Sequence, residues 1–324
     1  MFEGLPKQLS AYFELDNYER EMINYSIIIP HKNCPELLDR CLDSIPDRDD
    51  LQIIIVDDNS EKKPVVKRKD VEVVLLNGKQ AKGAGRARNI GLEKARGKWL
   101  LFADADDCYT DYLPKFLDRF ANDNTTDIVY FNAYMFDDNG KVMPLKIERF
   151  IKNFTEGKKN AEQDLRYGFW TPWTRMVKRE IVEKNAIKFE EVQIGNDAMF
   201  GLKVGMASNT IGIEKEMVYG YYKWPNGSKT ERNRSILVLE RIIQRGEIIV
   251  FYNKVGYRSC LNLFSIIERI LRERKLPPRQ AIAYYFQYLK EFNISWIKDI
   301  AYYLYVLIRV RIPRRCVLLF KRSV

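Results

Sequence analysis

Histidine and cysteine are scarce in this sequence. Its 324 residues include one histidine, His31, and five cysteines. A lone imidazole cannot form a histidine-based metal centre, and the cysteines lack the paired spacing of a zinc site or a disulfide framework. These absences exclude a zinc-stapled or disulfide-stapled small domain, and they favour reduced thiols in a cytosolic setting. The cysteines are Cys34, Cys41, Cys108, Cys260 and Cys316.

Long apolar runs are absent as well. The first 21 residues carry many charges and no apolar core of the kind that a signal peptide needs. No uncharged stretch approaches the roughly 20 residues that span a bilayer. We therefore predict a chain that works on the cytoplasmic side, without a spanning helix.

Positive charge is concentrated at one end of the chain. The formal net charge is +10, and residues 231–324 hold 19 Lys and Arg residues against seven Asp and Glu residues. The length indicates one large domain with an appendage, or two domains. A near-neutral front with a basic tail is typical of a protein that docks on an anionic partner, either lipid or nucleic acid.

The first third of the chain alternates strand-like and helix-like segments. The segments 35–45 and 85–97 repeat apolar residues at helical spacing, and they lie between short β-rich runs. This alternation predicts an α/β fold with a mostly parallel sheet covered by helices. The β-rich runs are 25–30, 51–56, 71–76, 98–103 and 127–131.

Two of these runs end in acidic residues. Asp57 and Asp58 follow the run at 51–56, and the Asp104-Ala105-Asp106 turn follows the run at 98–103. In open α/β sheets the ligand crevice lies at the carboxyl ends of the strands. The acids should therefore converge on one site.

The Asp104-Ala105-Asp106 turn is a candidate metal site. Hard divalent cations such as Mg²⁺ and Mn²⁺ prefer carboxylate oxygens and leave coordination positions open for phosphates. Isolated Asp-x-Asp tripeptides are common, and the alternative is an ordinary acidic loop. The surrounding sequence favours the metal site.

A glycine-rich and arginine-rich run, residues 82–91, precedes this turn. Its order, Lys-Gly-Ala-Gly-Arg-Ala-Arg-Asn-Ile-Gly, resembles a phosphate-side loop that leads into a helix. A dinucleotide fingerprint would need glycine where Arg88 stands, so that reading is excluded. The structural alternative is a helix start and stop.

Several motifs together resemble glycosyltransferase family 2 of the GT-A fold. They match the family in order, cover about residues 25–230, and leave the N-terminal leader and the basic tail outside the resemblance. The resemblance implies a catalytic domain over 1–230, with a helical extension over 231–324. The matching segments are 26–33, 53–60, 85–107, 173–176, 195–200 and 219–230.

The resemblance assigns expected roles at the donor end of the site. Pro30 and His31 would border the nucleobase, and Asp58 would accept a hydrogen bond from it. The family usually has an aromatic residue such as Tyr at the place of His31, so stacking on the base is the expected role, and a loop histidine without a role is the alternative. Arg88 would sit near the diphosphate. Asp104 would lie near the ribose and the metal, Mn²⁺ or Mg²⁺, with Asp106 on the metal.

At the acceptor end, the resemblance makes Asp197 the candidate base. An acceptor hydroxyl must lose its proton as it attacks. The family commonly has an acidic pair here, whereas this chain has Asn196 before Asp197. The structural alternative for Asp197 is the cap of the helix that begins next. Trp173 would offer a flat face to a sugar or only pack, and Lys229 would reach the diphosphate or only be solvated.

The implied activity is an inverting, metal-dependent transfer of a sugar, most simply a hexose, from a nucleotide-sugar donor such as a UDP-sugar to a glycan or lipid-linked glycan. The implied setting is bacterial surface-polysaccharide synthesis. The tail mixes aromatic and basic residues, which suits an interfacial helix on an anionic membrane surface and equally a helical subdomain packed on the enzyme. A basic nucleic-acid-binding or membrane-binding protein with an inactive nucleotide-binding fold is the other reading. No nucleic-acid signature supports it.

Overall fold

The computed structural model describes residues 23–225, 238–259, 261–272 and 276–311. The chain divides into two compact units. One lies within Met1–Val192 and Asn196–Asn226, and the other within Gln193–Gly195 and Gly227–Val324. The predicted domain boundary at residue 230 falls outside the described residues and stays a prediction.

Nine strands of the described residues form one sheet in the first unit, in the order β3-β2-β1-β4-β8-β6-β9-β5, with β7 paired to β6. The strands are β1 (Tyr25–His31), β2 (Leu51–Asp57), β3 (Val71–Leu75), β4 (Trp99–Phe102), β5 (Cys108–Tyr109), β6 (Ile128–Phe136), β7 (Val142–Pro144), β8 (Arg175–Lys178) and β9 (Ile211–Tyr222).

Helices flank the sheet and make up the second unit. In the first unit they are α1 (Pro35–Asp43), α2 (Ala84–Lys94), α3 (Leu113–Phe120), α4 (Lys146–Thr155), α5 (Ala161–Tyr167), α6 (Arg179–Lys184) and α7 (Ala198–Ala207), with a 3₁₀ turn at Pro172–Thr174. In the second unit they are α8 (Val238–Val255), α9 (Phe264–Arg272), α10 (Pro278–Glu291) and α11 (Trp296–Arg311).

The half of the sheet formed by β3, β2, β1 and β4 is parallel, as predicted. Every residue of β1 and β2 is buried, as expected for parallel strands inside an α/β sheet. Strand β3 forms the edge and is only partly buried. The carboxyl ends of β1, β2 and β4 therefore lie side by side.

The other half of the sheet is mixed rather than mostly parallel. Strand β8 runs antiparallel to both β4 and β6, whereas β6 and β9 are parallel. The short strand β5 pairs antiparallel with β9, so residues 103–107 cross from β4 toward the far edge of the sheet. Apolar runs do not encode strand direction, and the sequence therefore predicted only the parallel half.

Helix α2 lies close against the first strand. A Cβ atom on Gly91 would come within 2.3 Å of the Cγ2 atom of Ile28. A larger residue at this position would push the helix away from β1. The Arg-rich helix is thus held closely against β1.

The second unit has a hydrophobic cluster of its own, formed by residues of α8, α9, α10 and the segments around them. Residues 193–195 belong to this unit because the backbone N–H groups of Gln193 and Ile194 donate to Glu240 at 3.0 and 3.2 Å. Among the described residues, no helix combines the length and the apolar character needed to cross a membrane.

Candidate functional site

A buried hydrogen-bond network fixes the ends of β1 and β2. Nδ1 of His31 lies 2.8 Å from a carboxylate oxygen of Asp57, and the Ser60 hydroxyl donates to the same oxygen. Burial raises the pKa of Asp57, but the hydrogen bonds from Ser60 and His31 together lower it by more. The net shift of the pKa is downward. Asp57 therefore stays ionised inside the protein.

The ring of His31 has no exposed face in this arrangement. Its side chain is completely buried, and the backbone N–H of Cys34 points at its Nε2 atom at 3.4 Å. Pro30 is buried as well. The expected stacking of His31 on a nucleobase has no open ring surface to use here, and the contacts of His31 are those of a residue that orients Asp57. The sequence did not reveal this partner, because the two residues lie on different strands.

Asp58 links the end of β2 to the start of α2. One carboxylate oxygen accepts the backbone N–H of Gly83 at 3.1 Å, and the other accepts Nζ of Lys32 at 3.1 Å. Gly83 has a φ of 93°, a conformation that favours glycine. The glycine run thus forms the turn that brings α2 to the strand ends.

Arg88 joins the two predicted halves of the site. It is buried, and its guanidinium donates to Oδ1 of Asn196 at 2.7 Å and to a carboxylate oxygen of Asp104. The guanidinium also lies 5.3 Å from the ring centroid of Phe189. Residues separated by more than 90 positions in sequence, Asp104 and Asn196, are held together by one side chain.

Three carboxylates lie together in the turn after β4. Asp104, Asp106 and Asp107 each offer an oxygen within 4.8 Å of the others. Burial raises the pKa of Asp106 and that of Asp107, and the neighbouring Asp104 carboxylate raises both further. The three acids repel each other, which a cation among them would relieve.

The residues of this turn fit a divalent cation, although not all of them equally. Both oxygens of Asp107 already accept protein hydrogen bonds, from the Tyr219 hydroxyl at 2.8 Å and from the Tyr222 backbone at 2.7 Å. Asp104 and Asp106 are less buried than Asp107. Their carboxylates are therefore the ones that would hold Mn²⁺ or Mg²⁺.

Sequence reasoning missed the residues that shape this turn. The Tyr219 hydroxyl accepts the backbone N–H of Asp104 at 2.9 Å, and the indole N–H of Trp224 donates to Asp106 at 2.6 Å. Arg40 donates to the backbone carbonyl of Asp106. The resemblance of the segment 219–230 to the family is the available signal for Tyr219.

Asp197 occupies the N-cap position of α7, but its side chain makes no capping hydrogen bond. It is partly buried. Burial raises its pKa, the Arg88 charge lowers it, and Asp104 raises it again, with a net upward shift. The carboxylate therefore lies in the electrostatic field of both Arg88 and Asp104, and it does not cap the helix.

The Trp-Thr-Arg-Met segment is packed rather than open. Trp173 is 6% exposed and stacks on Tyr219 and Tyr221, with ring centroids 5.2 and 5.4 Å away. The fully buried Arg175 donates to the carbonyl of Gly201 at 2.8 Å, and burial lowers its pKa. Trp173 packs against other aromatic rings, which is the structural alternative given above for this residue. Its contact with a sugar stays a prediction. Lys229 lies outside the described residues.

This combination of a mixed α/β sheet and acidic strand ends beside an Arg-rich helix is that of the GT-A fold. The likeness to residues 1–349 of Staphylococcus aureus TarS, in complex with UDP-GlcNAc, has a TM-score of 0.56 at 19% identity and covers 83% of this chain and 80% of that one. The same region of TarS with UDP gives a TM-score of 0.53 at 20% identity and covers 86% and 89%. The predicted GT-A fold and helical C-terminal region are confirmed.

The sequence comparisons identify the family. Residues 26–185 match the profile of glycosyl transferase family 2. The uncharacterized glycosyltransferase EpsJ of Bacillus subtilis strain 168 is 28% identical over 246 residues, which cover 71% of this chain and 70% of EpsJ. The S. aureus poly(ribitol-phosphate) beta-N-acetylglucosaminyltransferase TarS is 24% identical over 211 residues, covering 62% of this chain and 35% of TarS. The matched residues, 26–185, therefore belong to glycosyltransferase family 2.

Proposed function

We propose that this family 2 glycosyltransferase transfers a hexose, with inversion, from a UDP-sugar to a hydroxyl of a glycan or lipid-linked glycan in cell-surface polysaccharide synthesis. One observation carries the proposal: Arg88 connects the acidic turn after β4 with the loop that holds Asp197. Donor and acceptor groups would therefore meet around one side chain. The UDP-GlcNAc and UDP complexes of TarS support the choice of nucleotide.

At the donor end, Asp58 and the start of α2 would hold the nucleoside, with Pro30 and His31 supporting that loop from beneath. Asp58 accepts the Gly83 N–H, so a base that bonded to Asp58 would lie beside the helix N-terminus, where negative phosphates are favoured. Arg88 would orient the diphosphate side of the site. Mn²⁺ or Mg²⁺ held by Asp104 and Asp106 would neutralise charge on the departing diphosphate.

At the acceptor end, Asp197 would act as the base. The acceptor oxygen forms a bond to the anomeric carbon while the bond from that carbon to the diphosphate oxygen breaks, and the hydroxyl proton passes to Asp197. A single displacement of this kind inverts the anomeric centre. An Asp with a raised pKa is a better proton acceptor than an ordinary one, provided that it is ionised. In this proposal Trp173 would form part of the wall of the sugar site, and Lys229 would contact the diphosphate.

We propose the inner face of the cell membrane as the place of the reaction, because a lipid-linked acceptor would be found there. The enzyme would lie peripherally on the cytoplasmic side. The competing reading is a nucleic-acid-binding protein with an idle nucleotide fold. It predicts salt-sensitive oligonucleotide binding and no metal-dependent nucleotide binding.

The test is a panel of nucleotide sugars, each with and without Mn²⁺ or Mg²⁺, in which thermal stabilisation and donor hydrolysis are measured. A bound donor should stabilise the fold by about 2.7 kcal/mol at a hundred times its dissociation constant. Asp104→Asn combined with Asp106→Asn should abolish the metal-dependent part. The exposed Asp111→Asn serves as the matched control and should leave it unchanged. Equal loss in the control, or no stabilisation by any donor, would contradict the proposal.

A further inference from the structure

Helix α11 of the second unit exposes large apolar side chains. Trp296 is 54% exposed, Ile297 61%, Leu304 50% and Tyr305 43%. Ile297 and Leu304 are seven residues apart and therefore lie on the same side of the helix. Together these four residues form the α11 face. An apolar row of this kind costs free energy in water unless something covers it.

Asp299 fixes the orientation of this helix. Its buried carboxylate accepts the backbone N–H groups of Leu263 and Phe264 at 2.7 and 2.8 Å, at the start of α9. It also accepts the Tyr285 hydroxyl of α10 at 2.9 Å. The acid is thus turned inward, and residues 296–305 contain no other Asp or Glu. The outward side of this segment carries apolar side chains and the exposed Lys298, and it has no negative charge.

Positive charge follows directly along the chain. Residues 300–324 contain six Lys and Arg residues and no Asp or Glu. The neighbouring helix α10 has a similar pattern, with exposed Ile282 and Phe286 between exposed Arg279 and Lys290. The spacing 279, 282, 286 and 290 places these four on one side of α10. Apolar side chains with cations around them are the pattern of a helix that lies in a lipid interface.

We propose that the α11 face binds the surface of an anionic membrane, with Trp296, Ile297 and Leu304 in the headgroup region and the cations near lipid phosphates. Charge decides between lipid and a second copy of this chain. Two copies facing each other through α11 would bring two basic segments together, whereas anionic lipid complements them. The proposal gives the surface that would produce the peripheral location proposed above, and it rests on that part of the proposed function.

Vesicle flotation of the full chain tests the proposal. Vesicles of phosphatidylcholine alone are compared with vesicles that also contain phosphatidylglycerol, each at low and high salt. We expect binding to the anionic vesicles only, and binding that weakens as salt rises. Ile297→Ser combined with Leu304→Ser should lower the bound-to-free ratio by at least about tenfold, because two aliphatic side chains no longer leave water.

The matched control is Val65→Ser combined with Leu75→Ser in the first unit, two apolar residues outside α11 that are 78% and 53% exposed. It should bind like the wild type. Bromine-labelled lipid should quench the tryptophan fluorescence of the wild type more than that of Trp296→Phe.

Binding that is unaffected by the α11 substitutions would overturn the proposal, as would no binding to either vesicle. A dimer that the α11 substitutions dissociate, without flotation, would assign the face to a second copy. UDP-sugar stabilisation, measured on the same variants, separates the two proposals. If the chain floats with the vesicles but binds no donor, the proposed membrane surface is supported and the proposed donor function is contradicted.

Discussion

At the scale of single residues, Arg88 is the point on which the proposed site depends. Its guanidinium uses two different nitrogens, one for Asn196 and one for Asp104. The family commonly has an acid where this chain has Asn196. The neutral amide bonds to Arg88 without competing for its charge, so Asp104 is its one carboxylate hydrogen-bond partner among the described residues.

Arg88→Lys should therefore lower kcat/KM by about 10² or more. An ammonium is a single point and cannot hold Asp104 and Asn196 in the fixed geometry of a guanidinium. Arg86→Lys is the matched control, since Arg86 lies on the same helix, is more exposed and pairs with Glu191. Steady-state kinetics on both variants decide the point. Equal effects would mean that helix charge alone matters.

Asp197→Asn should retain donor binding and lose transfer by about 10² to 10⁴. The amide cannot accept the acceptor proton, whereas donor contacts lie elsewhere. Because the pKa of Asp197 is raised, the wild type should lose activity on the acid side at a higher pH than an ordinary Asp would give, as protonation removes the base. Transfer at nearly the wild-type rate by Asp197→Asn would exclude this residue as the base.

His31→Ala should destabilise the fold by about 2 kcal/mol, because Asp57 would keep its buried charge and lose a partner. Lys63→Ala removes another partner of Asp57, an ammonium group 3.4 Å away, but Lys63 is 46% exposed and should contribute less than about 1 kcal/mol. Chemical denaturation of both variants measures the difference. A larger effect for Lys63 would contradict the orienting role of His31.

At the scale of elements, the sequence predicts best where a segment's own pattern decides its structure. The run at 25–30 corresponds to β1, and the segments at 35–45 and 85–97 correspond to α1 and α2 within a few residues. The antiparallel placement of β8 and the bond from Trp224 to Asp106, 118 residues away, carry no local signal. They depend on which distant segments fold against each other. The acids could therefore be predicted, but not the residues that orient them.

Gly91→Ala tests how tightly α2 must lie against β1. The new methyl group would overlap Ile28, and we expect a loss of about 1 to 3 kcal/mol in the free energy of unfolding, with weaker donor binding as Arg88 moves. Gly78→Ala is the matched control, because the nearest atom to its Cβ would be 3.7 Å away. Urea denaturation and donor titration compare the two. If Gly91→Ala is destabilised but binds the donor unchanged, the packing of α2 on β1 does not control the position of Arg88, and the prediction of weaker donor binding is wrong.

At the scale of the whole molecule, two hydrophobic clusters correspond to the two compact units. The predicted donor residues with described positions lie in the first unit, whereas the α11 face lies in the second. This separation also explains why motif resemblance, which ends near residue 230, could not predict the surface on α11.

Asp299→Ala should destabilise the second unit by about 3 kcal/mol, because two backbone N–H groups at the start of α9 and the Tyr285 hydroxyl lose a charged acceptor together. Donor affinity should not change, since Asp299 contributes nothing to the first unit's site. Lys298→Ala, the exposed neighbour on the same helix, should be close to neutral. Hydrogen exchange on α9 to α11 localises the loss, and donor titration checks the site. A fall in donor affinity that matches the fall in stability would mean that the units do not act separately.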